Sequence, residues 1–199
     1  MSKILVLYSS PIQPKNSIST LLTKKFVELY KTNHQNEEII ELDLNDLEMA
    51  TTCQTSKNMP ETYSEELSNK YINLLKEADK LIISCPMINF NVPAVLKNFL
   101  DRIAVANKTF SYKYSTKGGS VGLLDNLVIK IIATQGAPDG WYQWASHTSF
   151  LKGIWNFFGA KVSPTILISG TKIKPYIDMT AAEIVEENIG LLKQHIDEF

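Results

Sequence analysis

Three short apolar runs, Lys3–Tyr8, Lys80–Ser84 and Leu127–Ala133, restrict this chain to a narrow class of folds. Each is too short for a helix, and its apolar side chains stand at consecutive rather than alternate positions. A strand of that kind must be covered on both faces, which is the pattern of a parallel sheet held between layers of helices. Each run is followed by a loop and then by apolar residues at helical spacing. After the first come Leu21-Leu22, Phe26-Val27 and Leu29-Tyr30, and after the second Leu96, Phe99, Leu100 and Ile103. After the third, Phe150, Leu151, Ile154, Trp155 and Phe158 predict a helix over 142–158 that Gly159 stops.

Two further runs suit strands but not the middle of a sheet. Glu38-Ile39-Ile40-Glu41-Leu42 carries charges, and Val162–Ile168 contains Pro164, which is tolerated mainly at edges and strand starts. With these two outside, the strand order is 2-1-3-4-5, a five-stranded parallel sheet in a three-layer, flavodoxin-like α/β sandwich; a six-stranded dinucleotide-binding arrangement is the alternative. Residues 43–61 show no period and read as a long irregular excursion. Thr62-Tyr63-Ser64-Glu65 has capping-box spacing and predicts a helix to about Ala78, and Thr180-Ala181-Ala182-Glu183 opens the last helix in the same way. Phe110-Ser111-Tyr112-Lys113-Tyr114 alternates and is followed by a glycine-rich turn, so a small β excursion is expected near 109–126. At 199 residues with 44% apolar content, the expectation is a single domain spanning 1–199.

Charge removes several classes of function. Twenty basic and 21 acidic residues leave a net charge of -1, which makes no electrostatic case for nucleic acid or an anionic membrane surface. No apolar run approaches the length that spans a bilayer. The chain opens directly into Lys3-Ile4-Leu5-Val6-Leu7 without a leader pattern, and Cys53 and Cys85 are far apart, so a cytoplasmic protein without disulfides is expected. The histidines His34, His147 and His195 share no ligand spacing, and no metal is expected.

In an open α/β sheet of this order, ligands bind beyond the carboxyl ends of the strands, at the switch point between strands 1 and 3. Three loops meet there. The first carries Ser9, Ser10, Ser17 and Ser19 around a helix start, whose unpaired amides and hydroxyls can hold a phosphate with few cations; Ser17 as an ordinary N-cap is the competing reading. The second, Ser84–Pro93, is stiffened by Pro86 and Pro93 and holds Met87, Ile88 and Phe90, which either cover the face of a flat ligand or fold back onto the core. The third, Thr134-Gln135-Gly136-Ala137, has a glycine where a backbone can approach something closely. Neither G-x-x-x-x-G-K-[ST] nor G-x-G-x-x-G follows strand 1, which argues against a nucleoside triphosphate or a tightly held NAD. Phosphate cradle, stiff apolar loop and close backbone approach together suit a flavin mononucleotide.

Pro86-Met87-Ile88-Asn89-Phe90-Asn91, followed by Leu96-Lys97-Asn98-Phe99 and Asp101, resembles the signature of the FMN-dependent NADH-azoreductases, flavodoxin-like relatives of the quinone reductases. The likeness extends to Ser9-Ser10, Thr109-Phe110-Ser111-Tyr112 and Phe157-Phe158-Gly159, and so over nearly the whole chain. It implies a homodimer with bound FMN and NADH as co-substrate. It implies phosphate contacts at Ser10, Ser17, Ile18 and Ser19, and ring contacts along Pro86, Met87, Ile88, Asn89 and Phe90. Further contacts are implied at Thr134, Gln135, Gly136 and Ala137. The implied activity is ping-pong, two-electron reduction of quinones and reductive cleavage of azo compounds to amines, with the flavin carrying the chemistry and no obligatory catalytic side chain. This chain departs from the family where Ile88 replaces a common tyrosine, Ile18 a glutamine, and Thr134-Gln135-Gly136-Ala137 a Ser-Arg-Gly-Gly-like run.

Other residues carry two readings each. His147 either lines the substrate site or has a partly exposed structural role, and Trp141 and Trp144 either wall the cofactor or pack in a core or dimer interface. Phe110, Tyr112 and Tyr114 are read as one packed face, and Cys85 as a buried small residue. A flavodoxin-type electron carrier that needs protein partners is the alternative function. The near-neutral charge and the excursions at 43–61 and 109–126 count against it.

Overall fold

A computed structural model describes residues 2–62, 64–113 and 119–199. In chain order, β1 (Lys3–Tyr8) leads through a turn of 3-10 helix to α1 (Ile18–Asn33), and β2 (Glu38–Asp43) follows. The excursion then forms two further 3-10 turns and a short α2 (Met59–Thr62) before α3 (Glu65–Glu77), β3 (Lys80–Pro86) and α4 (Ala94–Ile103). A two-stranded antiparallel piece, β4 (Phe110–Ser111) with β5 (Val121–Gly122), precedes β6 (Val128–Thr134) and α5 (His147–Phe157). Two short strands, β7 (Lys161–Val162) and β8 (Ile166–Ile168), and the helices α6 (Ala181–Glu187) and α7 (Ile189–Gln194) complete the chain.

The sheet is parallel, in the order β2-β1-β3-β6-β7, with β8 also on β6. This is the expected order, and the consecutive apolar residues explain it by alternating between two cores. Leu5, Leu7, Leu81, Ile83, Ile129 and Ile131 face the layer of Phe99, Leu100 and Trp155. Ile4, Val6, Ile82 and Ile132 face Leu22, Phe26, Ile184 and Leu192. Among the described residues, no helix is long and apolar enough to cross a membrane.

Four local expectations are corrected. The fifth strand is not continuous over 162–168. Val128 pairs with Lys161 but Ile132 with Ile166, so the edge strand carries one extra residue and bulges at Ser163-Pro164-Thr165. The helix after β6 begins at His147 rather than Tyr142, because Ser146 caps it by accepting from the Ser149 amide at 3.2 Å. The helix expected to open at Thr62 is capped instead at Ser64, and the Glu65 side chain lies outside the described residues. Thr62 ends α2 with its hydroxyl donated to the Asn58 and Met59 carbonyls, Ser64 is the N-cap of α3 without a side-chain bond, and Tyr63 lies outside the described residues. The last helix breaks at Asn188, whose side chain donates to the Ile184 carbonyl at 2.7 Å. The second capping box is formed as expected. The Glu183 amide donates to Thr180 Oγ1 at 3.2 Å and the Thr180 amide to Glu183 Oε2 at 2.7 Å. Tyr114 and the glycine-rich turn as far as Gly118 lie outside the described residues.

Candidate functional site

At the switch point, β1 and β3 are tied by Ser9, whose hydroxyl donates to the Ser84 carbonyl at 2.7 Å. From there the loop after β1 runs to α1. Ser17 is the N-cap: its Oγ accepts from the Thr20 amide at 3.3 Å and lies 3.3 Å from Ser19 Oγ, with both serines buried. The capping reading of Ser17 is therefore correct, yet it does not compete with the other. One hydroxyl satisfies one amide, and the amides of the first helical turn at Ile18 and Ser19 have no intrahelical partner.

The second loop leaves β3 at Pro86. The Met87 amide donates to the Thr134 carbonyl at 2.7 Å, which locks the loop against the end of β6. Ile88 and Asn91 then exchange backbone hydrogen bonds at 2.8 and 3.1 Å, closing a turn around Asn89 (φ 45°) and Phe90 (φ 71°). Two successive positive φ values are the mark of a type I′ turn. Asparagine tolerates that region; a phenylalanine there is strained, by about 1–3 kcal/mol. The hydrogen-bonded turn holds Phe90 out from the core in spite of that strain, 43% exposed, against Tyr142 and Trp144 at centroid distances of 5.1 and 4.8 Å. The alternative of Phe90 folding inward is not what occurs.

The third loop continues from β6 and is matched by a segment beyond β8. The Gln135 amide donates to Ile168 O, while Gly170, Thr171 and Lys172 donate to the carbonyls of Ala137, Gln135 and Gly136 at 2.9–3.1 Å. Gly136 is needed here, since a Cβ on it would lie 2.8 Å from Cγ of Lys172.

Together these loops enclose an inner cavity of about 260 Å³ lined by Ile12, Asn16, Ser17, Ile18 and Ser19 from the first, Pro86, Met87 and Ile88 from the second, and Thr134, Gln135 and Gly136 from the third. Thr171 and Lys172 complete it. It adjoins an outer cavity of about 360 Å³ with which it shares Met87, Gly136 and Lys172. Asn89, Phe90, Ala137, Trp141 and Tyr142 line the outer one, with Ile173. Of the thirteen expected site residues, twelve line one cavity or the other. The exception is Ser10, which is buried beside them and accepts the Ile12 amide at 3.2 Å. Ser17 and Phe90 thus stand on the same side of the molecule.

The electrostatics are sparse. Among the described residues, neither cavity is lined by a carboxylate or an imidazole, and the only formally charged lining residue is Lys172. His147 is not at the surface: it is 1% exposed, sits against the Cys85 backbone, and burial holds its pKa down at about 4. Cys85 is fully buried, and burial pushes its thiol far above the usual range. Trp141 and Trp144 are 63% and 73% exposed, so neither belongs to a core. Of the aromatic stripe, Phe110 is buried and Tyr112 exposed, in edge contact at 5.4 Å. The loop after the fifth strand was absent from the sequence-based site. Its signal was present in Ser169-Gly170-Thr171-Lys172, a glycine with hydroxyls and a cation just past a strand end.

The residues suit a flat, phosphorylated cofactor. The inner cavity combines the helix amides and hydroxyls of Ser17–Ser19, the apolar Pro86, Met87 and Ile88, and polar groups of Thr134 and Gln135. Combined with the outer cavity it falls in the range of about 300–1,000 Å³ usual for small-molecule sites.

Known proteins with this pattern are numerous. A family model described as flavodoxin-like fold matches residues 2–192. An FMN-dependent NADH:quinone oxidoreductase of Mycoplasmopsis pulmonis is 51% identical over 194 residues, covering 98% of each chain. One from Metamycoplasma arthritidis is 53% identical over 175 residues, or 88% of this chain and 89% of that one. Among solved structures, an azoreductase from Bacillus anthracis str. Sterne superposes with a TM-score of 0.83 at 26% identity over the full length of both chains. An FMN-dependent NADH-azoreductase from Bacillus anthracis str. Ames Ancestor in complex with FMN gives 0.76 at 25% identity, over 99% of this chain and 98% of that one.

Proposed function

The chain belongs to the family of flavodoxin-like fold, and from that footing we propose that it is an FMN-dependent NADH:quinone oxidoreductase that also cleaves azo compounds to amines. The observation that carries the reading is the convergence of the three loops, from distant parts of the chain, on one pair of adjoining cavities. When bound, FMN supplies the redox chemistry, taking a hydride from NADH and passing two electrons to the acceptor.

The chain's own residues bind and orient. Ser17, Ile18 and Ser19 hold the phosphate through amides and hydroxyls at the positive end of α1, with Ser10 beneath them. Pro86, Met87 and Ile88 press on one ring face. The amides of Gly136 and Ala137, unlike that of Gln135, which is bonded to Ile168, would be free to meet the polar edge and favour negative charge there. Phe90, Trp141 and Tyr142 leave a slot for a second flat molecule, so NADH and acceptor occupy it in turn, which makes the kinetics ping-pong. Full cleavage of an azo bond to two amines takes two rounds, each consuming one NADH.

We further read the chain as one domain that works as a cytoplasmic homodimer. The exposed aromatic cluster of Phe90, Tyr142 and Trp144 supports the dimer, and two free thiols support the compartment.

The test is anaerobic. Purified protein is expected to be yellow, to be bleached by NADH alone, and to regain its colour on addition of a quinone. Protein that is colourless and takes up no FMN removes the reading. Flavin that NADH leaves oxidised until a redox partner is added makes the chain an electron carrier instead.

A further inference from the structure

Lys172 stands at the boundary of the inner and outer cavities, on a loop that neither the fold nor the cofactor contacts proposed above requires to carry a cation. Its backbone is fixed by the amide bond to Gly136 O at 2.9 Å and by its neighbour Thr171, which donates to Gln135 O at 3.1 Å. Its stem is laid over the bare Cα of Gly136, where a methyl group would already meet Cγ at 2.8 Å. Lys172 is an exposed residue, but its first methylenes lie against Gly136, so the ammonium is carried from a fixed root at the edge of the cleft.

The charge itself is uncommitted. Among the described residues Lys172 has no ion pair or hydrogen-bonded side-chain partner, whereas Lys174, two positions on, pairs with Asp178 at 3.9 Å. The nearby Asp139 does not line the outer cavity, and its Oδ1 accepts the Gly140 amide at 3.1 Å. Among the described residues, the outer cavity therefore combines aromatic walls at Phe90, Trp141 and Tyr142 with a single positive charge and no negative one.

We propose that Lys172 determines acceptor selectivity: the outer cavity prefers planar aromatic acceptors that carry an anionic substituent, a carboxylate or sulfonate, over the same ring without it. The inference rests on the oxidoreductase reading above. The ring lies between the aromatic walls, and the anionic group meets the ammonium at the cavity boundary. A charge pair in a partly open site is salt-sensitive, so the preference weakens as ionic strength rises.

The experiment uses the FMN-loaded protein with two acceptors, naphthoquinone and naphthoquinone sulfonate. Calorimetric binding in the absence of NADH gives the ratio of their Kd values, and steady-state turnover gives the ratio of kcat/KM. In Lys172→Gln the preference for the sulfonate is expected to fall about five-fold by both measures, the upper end for a partly exposed charge pair. In Lys172→Glu it falls further, and in Lys172→Arg it is retained. Equal losses for both quinones overturn the proposal. So does a rise confined to the KM of NADH, which assigns Lys172 to the dinucleotide's phosphates, or loss of FMN on gel filtration of Lys172→Gln, which assigns it to the cofactor. A wild-type protein that oxidises no NADH with either quinone overturns the oxidoreductase reading itself and this inference with it.

Discussion

Phe90 combines backbone strain with exposure, and neither serves stability. At φ 71° it occupies a position glycine would fill without cost, and its ring is spread against Tyr142 and Trp144 at the mouth of the outer cavity. Phe90→Gly is therefore expected to leave the melting temperature unchanged or raise it, by up to about 1 kcal/mol of relieved strain. The same change should cost about ten-fold in kcat/KM for aromatic acceptors, since one wall of the slot is gone; steady-state kinetics and calorimetry on the same preparation check both. His147 gives the opposite kind of prediction. Burial lowers its pKa from 6.5 to about 4, so between those values the unfolded chain binds a proton that the folded chain does not. Stability from this group is complete above about pH 6.5 and is lost as pH falls towards 4, by roughly 3 kcal/mol in all. Thermal melts of His147→Met across that window should show a shallower acid limb than wild type. Near neutrality, where the imidazole is uncharged in both states, the variant should differ from wild type by far less than it does at acid pH.

Elements meet at places where a single atom decides. Gly122 in β5 crosses Gly159, which follows α5, so closely that a Cβ on Gly122 would lie 2.0 Å from the Gly159 nitrogen. Gly159 in turn has φ 93° and ends the helix, as its place in the sequence predicts. Gly122→Ala puts carbon against backbone rather than against a side chain that can rotate away. A loss of more than about 2 kcal/mol is expected, read as a lowered denaturant midpoint with m unchanged. The bulge between β7 and β8 is a second such place. It turns the Pro164 carbonyl towards Lys130, a lysine buried in the middle of β6, and Nζ donates to that oxygen at 3.0 Å. Desolvation draws the Lys130 pKa down to about 8. Periodicity placed β6 correctly despite this charge, because the six apolar neighbours in Leu127–Ala133 outweigh one lysine. It could not place the bulge, because an extra residue in an edge strand leaves no mark on hydrophobic pattern. The start of α5 was misplaced for a related reason. Trp141, Tyr142 and Trp144 extend the apolar run, but they serve the cleft, and Ser146 supplies the cap.

The whole molecule presents one face where the cavities open and large aromatic side chains remain exposed. Trp141, Phe90 and Tyr142 line that opening, and Trp144, packed against Phe90 and Tyr142 at 4.8 and 6.1 Å, is the most exposed of the four at 73%. If this face joins two copies, Trp144→Glu buries a charge opposite its twin and should convert a dimer into a monomer in sedimentation equilibrium. Acceptor turnover should fall with it if the second copy completes the slot, and mixing with wild-type chain at high concentration should restore part of it.

The order of the strands, the sites of the three loops and the end of α1 were legible in the sequence because each rests on a local rule. An apolar run of given length must be buried on both faces, a proline belongs at an edge, and a serine before a helix satisfies an amide. Those rules act within a few residues, and twelve of the expected contact positions do line the cavities. Contacts between residues far apart in the chain required the folded structure. Lys172 reaches Gly136 only because β8 lies beside β6, Phe90 stays outside only because Ile88 and Asn91 close a turn beneath it, and His147 is buried only because α5 packs its first turn against the sheet. Side-chain identity specifies what each residue can do, whereas distance and burial decide what it meets.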